Sequence, residues 1–206
     1  MSTTNKPVAA LFLDIGGVML TNGWDRKSRE AAAKRFGLDI AELNDRHRMT
    51  FDTYESGKSS LEEYLNKVVF YEPRSFSMQD FKDFMLEQSV AYPDMIELVK
   101  ELKAKYGLKI AVVNNEGREL NEYRIKQFKL NEFVDFFISS CFVHFRKPDL
   151  DIWRVALDIA QVPADQVVYI DDRPMFAQVA ESLGLRGIAH KKVSETRARL
   201  AEMGLQ

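Results

Sequence analysis

A single cysteine, Cys141, stands in 206 residues, which excludes an internal disulfide and fits a reducing compartment. No apolar run approaches the roughly 20 residues that a membrane helix needs. The opening stretch MSTTNKPVAA does not join basic residues to a long apolar core, so no secretory signal is read there and the cytoplasm is the expected location. An excess of one charge is missing too: 29 basic and 31 acidic residues leave a formal net charge of −2. No basic stripe interleaved with aromatics stands out, which argues against nucleic acid as a partner. Internal repeats and low-complexity tracts are also absent. What is present is a chain 46% hydrophobic, with enough apolar material for a substantial core in one domain with an insertion, or one and a half domains.

Two grammars share the chain. Val8 to Ile15 reads as a buried strand, and the stretch that follows reads as helices. Asp25 to Phe36 ends at Gly37, a natural helix stop. Ala41 to Met49 is a second helix, Leu61 to Phe70 a third, opened by the capping box Ser60 to Glu63. Ser77 to Gln88 begins in a similar way. After Pro93 an amphipathic helix runs to Tyr106 and stops at Gly107. From there strands and helices alternate: strands at Lys109 to Val113, Val134 to Ser139, Val167 to Ile170 and Arg186 to Ala189, helices at Glu119 to Lys129, Ile152 to Ala160, Met175 to Leu183 and Ser194 to Met203. Alternation of this kind predicts an α/β fold with a parallel sheet covered on both faces. The strandless block of residues 21–91 reads as an inserted helical subdomain, and residues 1–20 with 92–206 as the α/β core.

Open α/β sheets bind ligands beyond the carboxyl ends of their strands. The first strand ends in Asp14, the second in Asn114 and Asn115, and VVYI in Asp171 and Asp172, while the loop after FFIS leads to Arg146, Lys147 and Pro148. Three carboxylates at one rim repel one another unless a cation sits among them, and hard oxygen ligands suit Mg²⁺. A lysine beside them suits an anion, most simply a phosphate. Aspartate is an established nucleophile toward phosphorus.

LFLDIGG, the polar residue after AVV, RKPD and VVYIDD are similar, in order and spacing, to the four motifs of the haloacid dehalogenase (HAD) superfamily, and the resemblance spans essentially the whole chain. It implies a three-layer Rossmann-like core with a mobile, C1-type helical cap. It further implies Asp14 as nucleophile and Mg²⁺ ligand, the Gly16 carbonyl as a second ligand, and Asp171 with Asp172 as metal holders. Asn114 takes the phosphoryl-binding position and Lys147 is the motif lysine. The expected activity is Mg²⁺-dependent removal of phosphate from a small phosphorylated metabolite through an aspartyl-phosphate. Two positions depart from the pattern. Phosphatases of the superfamily usually carry an aspartate as general acid and base two residues after the nucleophile, where this chain has Gly16, and Ser or Thr where it has Asn114. A positioned general acid is worth about 10²–10⁴-fold, so the loss points to substrates with a low-pKa leaving group, such as a sugar 1-phosphate or an acyl phosphate. The alternatives are a metal-independent dehalogenase-like hydrolase, disfavoured by the acid pair, and a catalytically weak or non-catalytic binding protein on the same fold.

Other features carry less. Trp24, where the chain leaves the core, and Asn115 and Arg118, just past the second strand, are candidates for the substrate pocket; hinge packing and a solvated helix start are the plain readings of Trp24 and Arg118. The stretch ESGKSS imitates a nucleotide-binding loop but lacks its upstream glycine and strand; a helix end at Gly57 and a cap at Ser60 explain it better. His47, His144 and His190 have no ligand spacing and read as structural. Cys141 reads as a core residue, and Phe81, Phe84 and Met85 as packing inside the helical insert. A buried ion pair between Asp14 and Lys147 is the plain alternative to catalysis.

Overall fold

The structure, a computed structural model, describes residues 6–206. Residues 1–5, which belong to the stretch read for a signal and to the core range 1–20, lie outside the described residues. Five strands form one parallel sheet: β1 (Ala10–Leu13), β2 (Lys109–Asn114), β3 (Phe136–Ser139), β4 (Val167–Asp171) and β5 (Arg186–Ala189), in the order β3-β2-β1-β4-β5. The chain leaves β1 toward β2 on one side and returns to β4 on the other. The carboxyl end of β1 is therefore the switch point where a crevice opens in sheets of this kind. Register brings Leu13 level with Val112 on one side and with Ile170 on the other.

The strands are almost continuously apolar because both faces are covered. Leu11 and Leu13 of β1 pack toward α5 (Pro93–Tyr106) and α10 (Val193–Glu202), in one cluster with Leu98, Leu102 and Leu200. Ala10 and Phe12 face the other layer, where α8 (Asp151–Ala160) and α9 (Pro174–Glu181) bring Trp153, Ala156, Phe176 and Ala180. Between β1 and α5 come α1 (Arg26–Phe36), α2 (Ile40–Glu55), α3 (Leu61–Val68) and α4 (Met78–Glu87). Their starts are fixed by side-chain caps: Asp25 accepts from the Ser28 N–H, Asp39 from Ala41 and Glu42, and Ser60 and Ser77 form capping boxes. These four helices bury a separate cluster around Tyr64, Leu65 and Phe81, which also takes in Leu120 from α6 (Arg118–Gln127).

The two linkers to this block run side by side. Thr21 N–H donates to Val90 O at 2.8 Å, and Tyr92 N–H to Met19 O at 2.8 Å. Among the described residues no helix is long and apolar enough to cross a membrane.

Some boundaries differ from the sequence reading for local reasons. The second helix of the block continues from Met49 to Glu55, because the buried Leu43 and Tyr54 continue one apolar face. β3 starts at Phe136 instead of Val134, since the Asp135 side chain takes over a ladder position and accepts from the Ile110 N–H at 2.8 Å. A short helix, α7 (Ser140–Val143), follows β3 without a sequence signal.

Candidate active site

β1 delivers Asp14 into a tight turn. Its N–H donates to Ile170 O at 2.9 Å, and one carboxylate oxygen, Oδ1, accepts from the Ile15 N–H at 2.8 Å. The turn is held by Ile15 O, which accepts from Met19 and Leu20, and by Gly17 at φ +70°. That conformation suits glycine, and a Cβ there would also overlap the Asp172 carboxylate.

Lys147 is the hub. It is 2% exposed, and its Nζ lies 2.7 Å from Asp171 Oδ2 and 3.3 Å from Asp14 Oδ1. Asn115 holds the lysine's main chain at both ends: its amide donates to Lys147 O at 2.9 Å and accepts from Lys147 N–H at 2.8 Å. Asp171 is fully engaged, accepting from Lys147, from the Tyr169 hydroxyl and, at 2.8 Å, from the Arg173 N–H. Asp172 is not: Oδ2 accepts from Asn22 Nδ2 at 3.2 Å, while Oδ1 is buried without a partner.

Asp14, Asp171 and Asp172 offer carboxylate oxygens that all lie within 4.8 Å of one another. Burial pushes the Asp14 carboxyl up to about 7; Lys147 pulls it down, and Asp171 and Asp172 push it further up. Burial works against the Lys147 ammonium, but Asp14 and Asp171 outweigh it and hold its pKa above the ordinary lysine value. A rim of hard oxygens, with one buried oxygen unpartnered and a carboxyl whose pKa burial raises, fits a small divalent cation.

Beside this cluster is a cavity of about 80 Å³, lined by Asp14, Gly16, Trp24, Asn115 and Lys147 among the residues singled out from sequence. Asn114 stands behind it, 1% exposed, with its amide donating to Asn121 Oδ1 at 3.1 Å and its own oxygen unpartnered. Trp24 is buried in the helical block, where its indole N–H donates to the Tyr64 hydroxyl at 2.8 Å. Arg118 is exposed, donates to Cys141 O at 2.9 Å and does not line the cavity.

The cavity also holds side chains that the sequence reading passed over. Glu55, at the end of α2, pairs with Arg146, the neighbour of Lys147. Glu116 pairs at 2.6 Å with Arg124, which is 1% exposed. Burial pushes Glu116 up to about 7 against the pull of Arg124. Glu116 directly follows the strand-end asparagines, which was a usable signal. Arg124 gave none, because α6 reads RELNEYRIKQ, the pattern of a solvated helix. Arg173, next to the acid pair, lines the cavity too.

The features set aside from sequence are all structurally accounted for. Each histidine is bonded through Nδ1: His47 to the Tyr64 hydroxyl at 2.8 Å, His144 to Ser56 O and His190 to Thr196 Oγ1, each at 2.7 Å. Gly57 sits against Cys141 O with no room for a Cβ, and Ser60 caps α3. Cys141 is buried, its thiol pushed up to about 12 by that burial.

The haloacid dehalogenase-like hydrolase family model matches residues 6–184. A putative pyrophosphatase of Caldanaerobacter subterraneus is 28% identical over 117 residues, 55% of this chain and 53% of that protein. This chain's match thus spans about half the length of that relative. A flavin mononucleotide hydrolase of Arabidopsis thaliana is 25% identical over 171 residues, covering 82% of this chain and 69% of that protein. In fold, the chain resembles a crystal structure of a HAD family enzyme from Bacteroides thetaiotaomicron in complex with magnesium. The TM-score is 0.79 at 19% identity, over 95% of this chain and 99% of that one. The four motifs, the parallel sheet and the family match converge: the chain belongs to the haloacid dehalogenase-like hydrolases.

Proposed function

We propose that the chain is a Mg²⁺-dependent phosphatase acting on a small phosphorylated metabolite with a low-pKa leaving group. The observation that carries this reading is the cluster of Asp14, Asp171 and Asp172 at the strand ends, with the buried Lys147 bridging two of its members. Phosphate chemistry in the names of the two relatives supports it. Asp14, Asp172 and the Gly16 carbonyl would hold Mg²⁺, with Asp171 beside them. When bound, the cation would lower the cost of ionising Asp14 and offset charge on the transferring phosphoryl group.

The chain's own residues then do the following. An Asp14 oxygen attacks phosphorus, the bond to the leaving oxygen breaks, and an aspartyl-phosphate forms. Lys147, oriented by Asp171 and by the Asn115 clasp on its main chain, stabilises the equatorial charge. Asn114 holds the motif position of a second phosphoryl-binding group, although its buried amide donates to Asn121 and does not line the cavity. Water then attacks phosphorus, releases phosphate and regenerates Asp14. With glycine at position 16 the usual acid two residues after the nucleophile is missing, which favours leaving groups that depart as anions. Residues 21–91 would act as a cap on the core of residues 1–20 and 92–206, with Trp24 closing one wall and Arg118 steadying the neighbouring rim. The cavity of about 80 Å³ is small and excludes bulk water once closed.

The acid pair favours phosphoryl transfer over metal-independent dehalogenation, which has no use for it. The test is phosphate release from an aryl phosphate, a sugar 1-phosphate, an acyl phosphate and an alkyl phosphate, with and without Mg²⁺. Release that needs Mg²⁺ and vanishes in Asp14→Asn supports the reading. Equal rates for alkyl phosphates and sugar 1-phosphates would remove the leaving-group part of it.

A further inference from the structure

Position 16 has no side chain, and the space a side chain would need is taken. A Cβ built on Gly16 would lie 2.7 Å from Oδ1 of Asn22. The other end of that amide donates from Nδ2 to Asp172 Oδ2 at 3.2 Å. The same carboxylate's second oxygen is buried and unpartnered. One neutral amide therefore fills the gap over Gly16 and fixes how Asp172 is turned.

Asn22 does not belong to the sheet. It lies between Leu20 and α1, on the linker that enters the helical block. The register of that linker is fixed by polar contacts. Thr21 Oγ1 donates to Gln88 O at 2.7 Å, so the two linkers are tied to each other. Arg124 ties both to α6: Nη2 donates to Thr21 O at 2.8 Å and Nε to Ser89 Oγ at 3.1 Å. Gly23 packs so closely on this guanidinium that a Cβ there would overlap it.

We infer that Asn22 is a positioning residue for Asp172, and that seating of the linker by Arg124 sets the affinity of the acid cluster for its cation. This rests on the Mg²⁺ part of the proposed function. A second-sphere group that orients a ligand is typically worth about 10–100-fold in metal affinity. By linkage, whatever seats the linker tightens the cation, and the cation in turn steadies the linker. Glycine at position 16 is then the partner of Asn22: any side chain there would push the amide off Asp172.

The test is a calorimetric titration of Mg²⁺ into the full chain, with no turnover involved. Asn22→Ala and Asn22→Leu, the second conserving volume, should weaken Mg²⁺ binding by roughly 10–100-fold at unchanged far-UV circular dichroism. Gly23→Ala, which touches no carboxylate, should also weaken it by displacing the linker. In the wild type, Mg²⁺ should slow amide exchange at residues 20–24, a readout that needs no variant. Wild-type affinity in Asn22→Leu, or no slowing at the linker, overturns the inference and leaves the phosphatase reading standing. Absence of any Mg²⁺ binding to the wild type sinks the metal part of that reading and the inference with it. Binding with the expected losses but no phosphate release sinks only the phosphatase.

Discussion

One face of the sheet is filled by aliphatic residues, Leu11, Leu13, Ile110, Val112, Val168 and Ile170, and the other carries Phe12 and Tyr169 against Trp153. The helical block is built on rings. Phe36, Phe76 and Phe81 lie with centroids 4.5–6.1 Å apart, Trp24 meets Phe81 edge-on at 5.7 Å, and Tyr54 stacks on Tyr64 at 5.1 Å. Where the two regions meet, polar pairs lie beside the apolar contact of Leu120. Arg146 pairs with Glu55 and with Asp52 at 2.8 Å, Ser140 donates to Glu55 O at 2.7 Å, and Leu61 N–H donates to Glu119 at 2.8 Å. An apolar seam resists parting because opening it exposes hydrocarbon, whereas water replaces polar partners at modest cost. The two regions divide the labour. The sheet end holds charges where they repel, the block is packed around rings, and polar pairs join the two.

The largest expected effect falls at the sheet end. Asp14→Asn should lower phosphate release by roughly 10³-fold or more, as loss of a nucleophile does. The same change should raise the melting temperature of the metal-free chain. An amide keeps the shape of the carboxylate but ends its repulsion with Asp171 and Asp172. Each kcal/mol recovered is worth about 2–4 °C in a chain of this size. A melting temperature that falls would mean that the Asp14–Lys147 pair stabilises the chain, and that the sheet end is not under charge strain.

Phe81→Ala strikes the other region. Phe81 is fully buried among Trp24, Phe36, Phe70 and Phe76, so truncation should cost about 3–5 kcal/mol. If the block is its own unit, amides of residues 26–87 should exchange faster while those of β1, β2 and β4 keep their protection. Uniform acceleration would show a single core and dissolve the contrast.

Arg146→Ala probes the seam. Breaking a buried pair costs about 3–5 kcal/mol, but the Arg146 side chain is 28% exposed, so about 1–3 kcal/mol is expected after allowing for solvent. Burial already raises the Glu55 pKa, with Arg146 the main opposing influence. Without the arginine it rises further. A carboxyl whose pKa is higher folded than unfolded loses stability as pH climbs from the unfolded value through the folded one. The deficit of Arg146→Ala should therefore be larger at pH 8 than at pH 5, and Glu55→Gln in the same background should remove that dependence. Urea titrations at the two pH values measure both.

Much of this was legible in the sequence because strands and their ends are local. A buried strand bounded by a polar residue announces both itself and what it delivers, which is why Asp14, Asp171 and Asp172 emerged together, while Lys147 stood out in the loop motif RKPD after the third strand. Capping boxes at Ser60 and Ser77 are equally local. What stayed hidden depends on partners distant in sequence. Arg124 lies 103 residues from Thr21, and Glu55 lies 91 from Arg146. No spacing rule marks an arginine that turns inward from a polar helix. Asn115 looked like a substrate ligand from its place after β2; the contact with Lys147, 32 residues on, gives its amide a different employment.

The smallest effect separates the two regions by pH alone. His47 lies on α2, where burial and the nearby Arg29 drop its pKa to about 3. Trp24 donates its indole N–H to the Tyr64 hydroxyl, which also lies 2.8 Å from His47 Nδ1. Unfolded, the imidazole would titrate near 6.5. Between those values the unfolded chain takes up a proton that the folded chain refuses, so the stability present in full above pH 6.5 is lost progressively as pH falls toward 3. The cost falls on the helical block, where His47 packs on Phe51 and Tyr64. Each region carries one of the two tryptophans, Trp24 in the block and Trp153 on α8, so Trp153→Phe leaves a reporter for the block and Trp24→Phe one for the sheet. At pH 5 the Trp24 signal should lose cooperativity at lower urea than the Trp153 signal, and at pH 7.5 the two midpoints should draw together. Midpoints that move in step at every pH would place His47 in a single cooperative unit with the sheet.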